Sequence, residues 1–365
     1  MRFAFTDDQL LFRDAVRDLL DKECPPEQVR RAWDAGDGRL VGVWNALAEM
    51  GVLGVPVPEA FGGLGLAELD LVLLVEQTGR VALPDPVVET VAVAAPLLAD
   101  MAESSGSGAA GEIAAEWLPR LAAGSAIVAV ALDGNRLDGN RLDGRPLSGR
   151  PLVAHGADAD LLIAAVDGQI VCVPGDRVAG QAQRSVDGAR ALATVSWHPA
   201  DVVVLADGAE AAAALDRALD RGALATAAQL IGLGQQLLDL TVDYVKERRQ
   251  FGVPIGSFQA VKHHLADAML QLEFARPVVY AAAYAMATDD PDAARAVAHA
   301  KAAAGDAATF VGRQALQCHG AIGYTVEYDL HLYLKRVWAL AASWGDAAHH
   351  RRRVADLVLG PVPSP

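Results

Sequence analysis

The stretch Tyr244-Val-Lys-Glu-Arg248-Arg-Gln250-Phe251-Gly252-Val-Pro254-Ile-Gly-Ser-Phe258-Gln259 decides how this chain is to be read. A long Ala- and Leu-rich run precedes it, and those residues lose little freedom in a helix. Gly252 and Pro254 then turn the backbone sharply. Gln259 opens a second helical pattern in which Val261, Leu265, Ala268 and Leu272 form an apolar stripe. The turn thus joins two helices and holds Arg248 at the junction. A guanidinium there offers forked donors to a pyrophosphate and does not lose its charge. The N-terminus of the next helix favours phosphate too. A lone Arg would be explained by the dipole at its own helix C-terminus. The complete motif instead points to a phosphate-bearing cofactor met by Arg248 and the helix start at Gln259.

Further along stands Gln317-Cys318-His319-Gly320-Ala321-Ile-Gly323-Tyr324. Glycine lets a backbone come close to a diphosphate. On its own this run reads equally well as a helix-capping loop. Taken with the first motif, it resembles the acyl-CoA dehydrogenase family, with Ala321 in place of the usual second glycine. The resemblance covers nearly the whole chain. It implies FAD as cofactor, with Arg248, Gln250, Phe251, Phe258, Gln259, Gln317, Cys318, Gly320 and Ala321 as contacts. In that family these groups reach across a subunit interface and clamp the ADP half of a flavin whose ring lies in the neighbouring subunit. His319 sits inside the motif and is expected to line that interface.

Other family signatures are missing. About twenty residues beyond Gly323 the family places its catalytic glutamate, and here the ungapped match is Ser343-Trp344-Gly345-Asp346. Desaturation of a thioester needs a carboxylate at the α carbon while hydride leaves the β carbon, and tryptophan cannot take that proton. Some family members carry the glutamate on the long helix before Arg248, where this chain has Gly222. Asp216 and Asp220 lie near it and read as a solvated helix face. Asp346 reads as an N-cap. A short offset on a rigid element misplaces a base, so no catalytic residue is assigned. The family's flavin-ring segments are replaced by Ala131-Leu132-Asp133-Gly134-Asn135 and Leu152-Val153-Ala154-His155-Gly156.

The pattern along the chain gives a mostly α, α+β fold. Residues 1–124 read as helical, starting at a Thr6/Gln9 capping signal. Helices are expected from near Val43, from Glu68 to about Gly79 and from Pro86 to about Met101. Residues 125–206 carry short β-branched runs at 127–132, 161–166, 170–173 and 202–205, a small β domain. Residues 207–365 return to helix, and the resemblance makes them a four-helix bundle. A five-residue repeat, Leu-Asp-Gly-Asn-Arg and its variants, fills 132–151 and reads as an exposed loop where the family cradles its flavin.

A net charge of −15 argues against nucleic acid and against an anionic membrane surface. Nothing resembles a spanning helix or an apolar leader. Three scattered cysteines suit a reduced cytoplasmic protein. Adjacent histidines, His263-His264 and His349-His350, split across helix faces and make no metal site. The resemblance is to the base-lacking subunits of actinobacterial α2β2 acyl-CoA dehydrogenases of steroid catabolism. It implies a homologous glutamate-bearing partner, an acyl-CoA substrate and an electron-transfer flavoprotein as acceptor. A homo-oligomeric flavoenzyme with a displaced base, an acyl-CoA-binding scaffold and a decayed paralogue remain open alternatives.

Overall fold

The computed structural model describes residues 4–36, 38–105, 108–132 and 152–360, so the five-residue repeat lies outside the described residues. The first helices are α1 (Asp7–Glu23), α2 (Pro26–Ala35), α3 (Val41–Glu49) and α4 (Glu68–Arg80). A π-helical segment, Val87–Ala94, runs into α5 (Ala95–Ser105), and α6 (Ala109–Ala122) follows. The strands are β1 (Val128–Ala131), β2 (Val153–Ala154), β3 (Leu161–Val166), β4 (Gln169–Pro174), β5 (Ala179–Gln183), β6 (Leu192–Ser196) and β7 (Val203–Ala206). Then come α7 (Gly208–Glu247), a small hairpin of β8 (Arg249–Gln250) and β9 (Val253–Pro254), α8 (Gln259–Ala287), α9 (Ala293–His319), α10 (Leu330–Ala342) and α11 (Ala347–Leu359).

This is the mostly helical α+β architecture expected, with differences in detail. The capping box is present: Gln9 N–H donates to Thr6 Oγ1 at 3.3 Å and Thr6 N–H to Gln9 Oε1 at 2.8 Å. The helix expected from Pro86 begins instead as a π-helix, a rare form associated with functional sites. α2 is an addition to the expected helices, and it buries Val29 and Ala32.

The chain falls into two compact units that do not follow its order. One comprises Arg31–Leu71 and Pro84–Gly222. In it β1, β3, β4 and β7 form one sheet, and β2, β6 and β5 another. β1 and β3 are parallel and the remaining pairs antiparallel. Ala129, Leu162, Ala164, Val171 and Val173 of the first sheet pack with Val153, Ala193 and Val195 of the second. The other face of β1 is covered by the π-helical segment, whose Thr90 hydroxyl donates to Val128 O at 3.0 Å. β3 therefore buries both faces and reads as a continuous apolar run. Arg221 is buried in this unit between Glu68 and Asp100, at 2.8 and 2.5 Å.

The other unit comprises Met1–Arg30, Val72–Leu83 and Ala223–Pro365. Here α8, α10 and α11 pack against α9, and the C-terminal part of α7, α1 and most of α4 belong to the same unit. α4 and α7 touch through glycines. A Cβ on Gly79 would lie 2.2 Å from Gln229 O, and one on Gly232 would lie 2.0 Å from Glu76 O. Glu76 is buried and holds both Arg276 and the Tyr280 hydroxyl, the latter at 2.6 Å.

Candidate functional site

α7 ends where Arg248 N–H donates to Tyr244 O at 2.8 Å. The chain then reverses through β8 and β9, paired Arg249 with Pro254 and Gln250 with Val253. Phe251 and Gly252 form the two-residue tip, with φ of 52° and 82°. Tight hairpins ask for positive φ at both tip positions, which glycine meets freely and a bulky ring does not. Ile255 N–H closes the turn on Arg248 O at 2.8 Å. Phe258 precedes α8 without a side-chain cap, so the first amides of that helix have no capping side chain.

The side chains of this corner point outward. Phe251 is 93% exposed and Phe258 38% exposed, with ring centroids 6.2 Å apart and nearly perpendicular. Arg248, Gln250 and Gln259 are exposed as well. The Arg248 side chain has no hydrogen-bond or ion-pair partner among the described residues.

The second motif forms the end of α9 and the turn after it. Gln317, Gly320 and Ala321 are exposed; Cys318 is half-buried, and burial raises its thiol pKa. Gly320 has φ 63° and ψ −137°, a conformation open to glycine and strained for other residues.

His319 differs from expectation. It does not line a surface but is 4% exposed, since its position at the end of α9 turns it inward. Its Nδ1 lies 2.8 Å from Ala315 O. Its ring stacks on Tyr244, centroids 4.3 Å apart at 20°, and lies 5.0 Å from the ring of Tyr328. The Tyr244 hydroxyl donates to His319 O at 3.5 Å. The structure thus brings the two motifs together through Tyr244 and His319, neither of which was assigned that role from sequence.

Trp344 follows α10 with φ 55°, and Gly345 follows with φ 86°. The turn is pinned from two helices. His350 Nε2 lies 2.8 Å from Trp344 O, so the ring donates there. Lys301 Nζ, fully buried on α9, donates to Gly345 O at 2.9 Å and Ala341 O at 3.2 Å. Burial lowers the Lys301 pKa to about 8 against the upward pull of Asp346, and lowers that of His350 to about 4. Asp346 caps α11, accepting from His349 N–H at 2.7 Å, and that bond holds its carboxyl below the usual range.

Asp216 is exposed as expected, but Asp220 is 7% exposed. Gly222 is buried. A cleft of about 630 Å³ runs along α7 and α8, lined by Arg80, Asp239, Asp243, Lys246, Met269 and Glu273 among others. Its Asp239 pairs with Arg80 and its Asp243 with Lys246. No cluster among the described residues could hold a metal, and none of the described helices is long and apolar enough to cross a membrane.

Residues 6–125 match the acyl-CoA dehydrogenase N-terminal domain and residues 211–359 the acyl-CoA dehydrogenase C-terminal domain. The chain belongs to the acyl-CoA dehydrogenase family. It is 32% identical to acyl-CoA dehydrogenase IpdE2 of Mycobacterium tuberculosis over 90% of this chain and 91% of that protein. A solved structure described as a Tcur3481-Tcur3483 steroid acyl-CoA dehydrogenase variant superposes with TM-score 0.82. It is 26% identical and covers 97% of this chain and 98% of its own. The ChsE4-ChsE5 complex from Mycobacterium tuberculosis gives TM-score 0.82 at 25% identity, covering 99% of this chain and 100% of that one. Membership implies flavin dependence. The residues present suit the ADP half of FAD: an unpaired guanidinium, an uncapped helix start and a glycine turn beside it.

Proposed function

We propose that this chain is the non-catalytic subunit of an FAD-dependent acyl-CoA dehydrogenase and completes a flavin site in a homologous partner. One observation carries the reading. The Arg248 corner is held outward and unpaired, while Trp344 stands where the family resemblance places a base. The aspartates that could substitute are badly placed for the role: Asp346 caps a helix, and Asp220 is buried.

In this assignment Arg248 would hold the cofactor diphosphate with charge-assisted bonds. Gln259 and the first amides of α8 would serve its polar groups, and Gln250, Phe251, Phe258 and the Gln317–Ala321 turn would complete the set that holds it. The flavin supplies the hydride acceptor for α,β-desaturation of an acyl-CoA thioester, and the partner's glutamate takes the α proton. Trp344 moves no proton. The partnership is an α2β2 assembly in the cytoplasm, with electron-transfer flavoprotein as acceptor. A bulky, steroid-derived acyl group is supported by likeness to a solved steroid acyl-CoA dehydrogenase.

The test is to purify the chain alone and with a glutamate-bearing homologue from the same source. Alone it is expected to be colourless or weakly flavinylated; together they hold flavin. Arg248→Ala is expected to strip flavin from the complex and leave this chain folded. A stoichiometric flavin chromophore on the lone chain contradicts the assignment.

A further inference from the structure

His319 is an odd residue to bury. A carbonyl can only accept, so the ring nitrogen beside Ala315 O is Nδ1–H, and this fixes the tautomer. Nε2 is then a bare acceptor, and it is buried with no hydrogen-bond partner among the described residues. An apolar ring would avoid that cost. What His319 has is position. It is the last residue of α9, directly before Gly320, and it lies between Tyr244 on α7 and Tyr328 beyond the turn. Tyr328 in turn meets the edge of Tyr244 at 5.8 Å. Tyr244 adds a hydroxyl bond to His319 O, one of the last carbonyls of α9. Tyr244 is also the residue whose carbonyl receives the Arg248 amide. A single cluster of three rings therefore fixes the backbone one turn before Arg248 and the backbone entering Gly320.

We propose that Tyr244 and His319 are positioning residues that lock the Arg248 corner and the Gln317–Ala321 turn into one rigid clamp, so that both engage a dinucleotide cofactor together. Neither residue touches the cofactor: His319 is enclosed, and Tyr244 acts through Arg248. The inference rests on the clamp reading given under Proposed function. Preorganisation of this kind raises affinity because the cofactor need not order the clamp as it binds.

The experiment uses the complex with the glutamate-bearing partner and reads the dissociation constant of FAD, with thermal stability measured alongside. His319→Ala removes the stack and is expected to weaken FAD binding by roughly threefold to thirtyfold, the worth of one to two ring contacts. His319→Phe keeps a ring between the tyrosines and is expected to restore binding to within about twofold of the parent. In His319→Ala combined with Arg248→Ala, the loss is expected to be smaller than the product of the two single losses, because a misplaced clamp has less to lose. If His319→Ala does not fold, Tyr244→Leu is read in its place with the same expectations for its combination with Arg248→Ala. Unchanged FAD binding in the ring-removing variant overturns the proposal, as does failure of His319→Phe to rescue, or losses that multiply. If Arg248→Ala itself leaves FAD binding unchanged, the clamp assignment fails and this inference with it. If Arg248→Ala strips FAD and His319→Ala does not, the inference fails alone.

Discussion

Replacing Lys301 by Met should abolish a rise in stability that the parent is expected to show under alkaline conditions. Lys301 is fully buried, and its Nζ spans the Ala341 and Gly345 carbonyls. Its pKa falls from 10.5 to about 8, chiefly through desolvation. That displacement amounts to about 3 kcal/mol against the charged form. At pH 7 both folded and unfolded chains hold the proton, so the full penalty is present. Between pH 8 and 10.5 the folded chain has shed a proton that the unfolded chain keeps, and stability therefore rises with pH. Methionine removes the penalty but leaves two carbonyls without their donor, each worth about 1–3 kcal/mol. At pH 7 these changes largely offset, and Lys301→Met should lie within about 2 kcal/mol of the parent. By pH 10.5 the neutral amine still serves both carbonyls, and the parent should have gained about 3 kcal/mol on the variant. Urea unfolding of both proteins at several pH values reads this directly. Other titrating groups are common to both and cancel in the difference. Parallel stability–pH curves would refute the reasoning.

Four further outcomes follow from the same geometry. His350, held neutral with a pKa near 4, should make the chain lose stability as pH falls from 6.5 toward 4; His350→Gln, which keeps a donor for Trp344 O, should flatten that limb of the unfolding curve. Gly320→Ala forces a side chain into φ 63°, ψ −137° and should cost about 1–3 kcal/mol in thermal unfolding, with loss of flavin from the complex. Asp346→Asn keeps an N-cap and should leave acyl-CoA turnover of the complex within a few-fold, whereas the loss of about 10²–10⁴ expected for a general base would make this chain catalytic. Trp344→Glu should create no second active site, and an additional turnover in a complex whose partner lacks its glutamate would count against the assignment.

Much of the fold was legible because its signals are local. The Thr6/Gln9 box, the Glu68 helix start and the β-branched runs at 161–166 and 170–173 are each read from neighbours in sequence. β5 was not legible: Ala-Gly-Gln-Ala-Gln carries no β-branched residue and stays largely exposed, so only its pairing with β6 makes it a strand. The Arg248 corner was legible as a motif, yet the inward turn of His319 was not, since ring stacking with Tyr244 joins residues 75 apart. Asp220 looked solvated because a helical wheel does not say which tertiary neighbours cover its polar side. Lys301 was passed over for the same reason: one lysine in an alanine-rich helix gives no hint that two carbonyls from another element wait for it.

The glycine contact between α4 and α7 bears on how the chain is made. α4 emerges from synthesis early, with Leu73, Leu74 and Val75 that end up buried. The groups that later receive it come far behind: Gln229 donates to Thr78 across 151 positions, Arg276 meets Glu76 across 200, and Arg336 reaches Leu83 O across 253. The C-terminal helices cannot close their packing on nearby residues alone, and α4 must wait with its apolar side uncovered. Such long-range closure slows folding and prolongs exposure of sticky surface. A fragment cut at residue 207, though it looks on paper like a tidy helical domain followed by a β domain, would lack the helix that its own first glycine contact was shaped to receive.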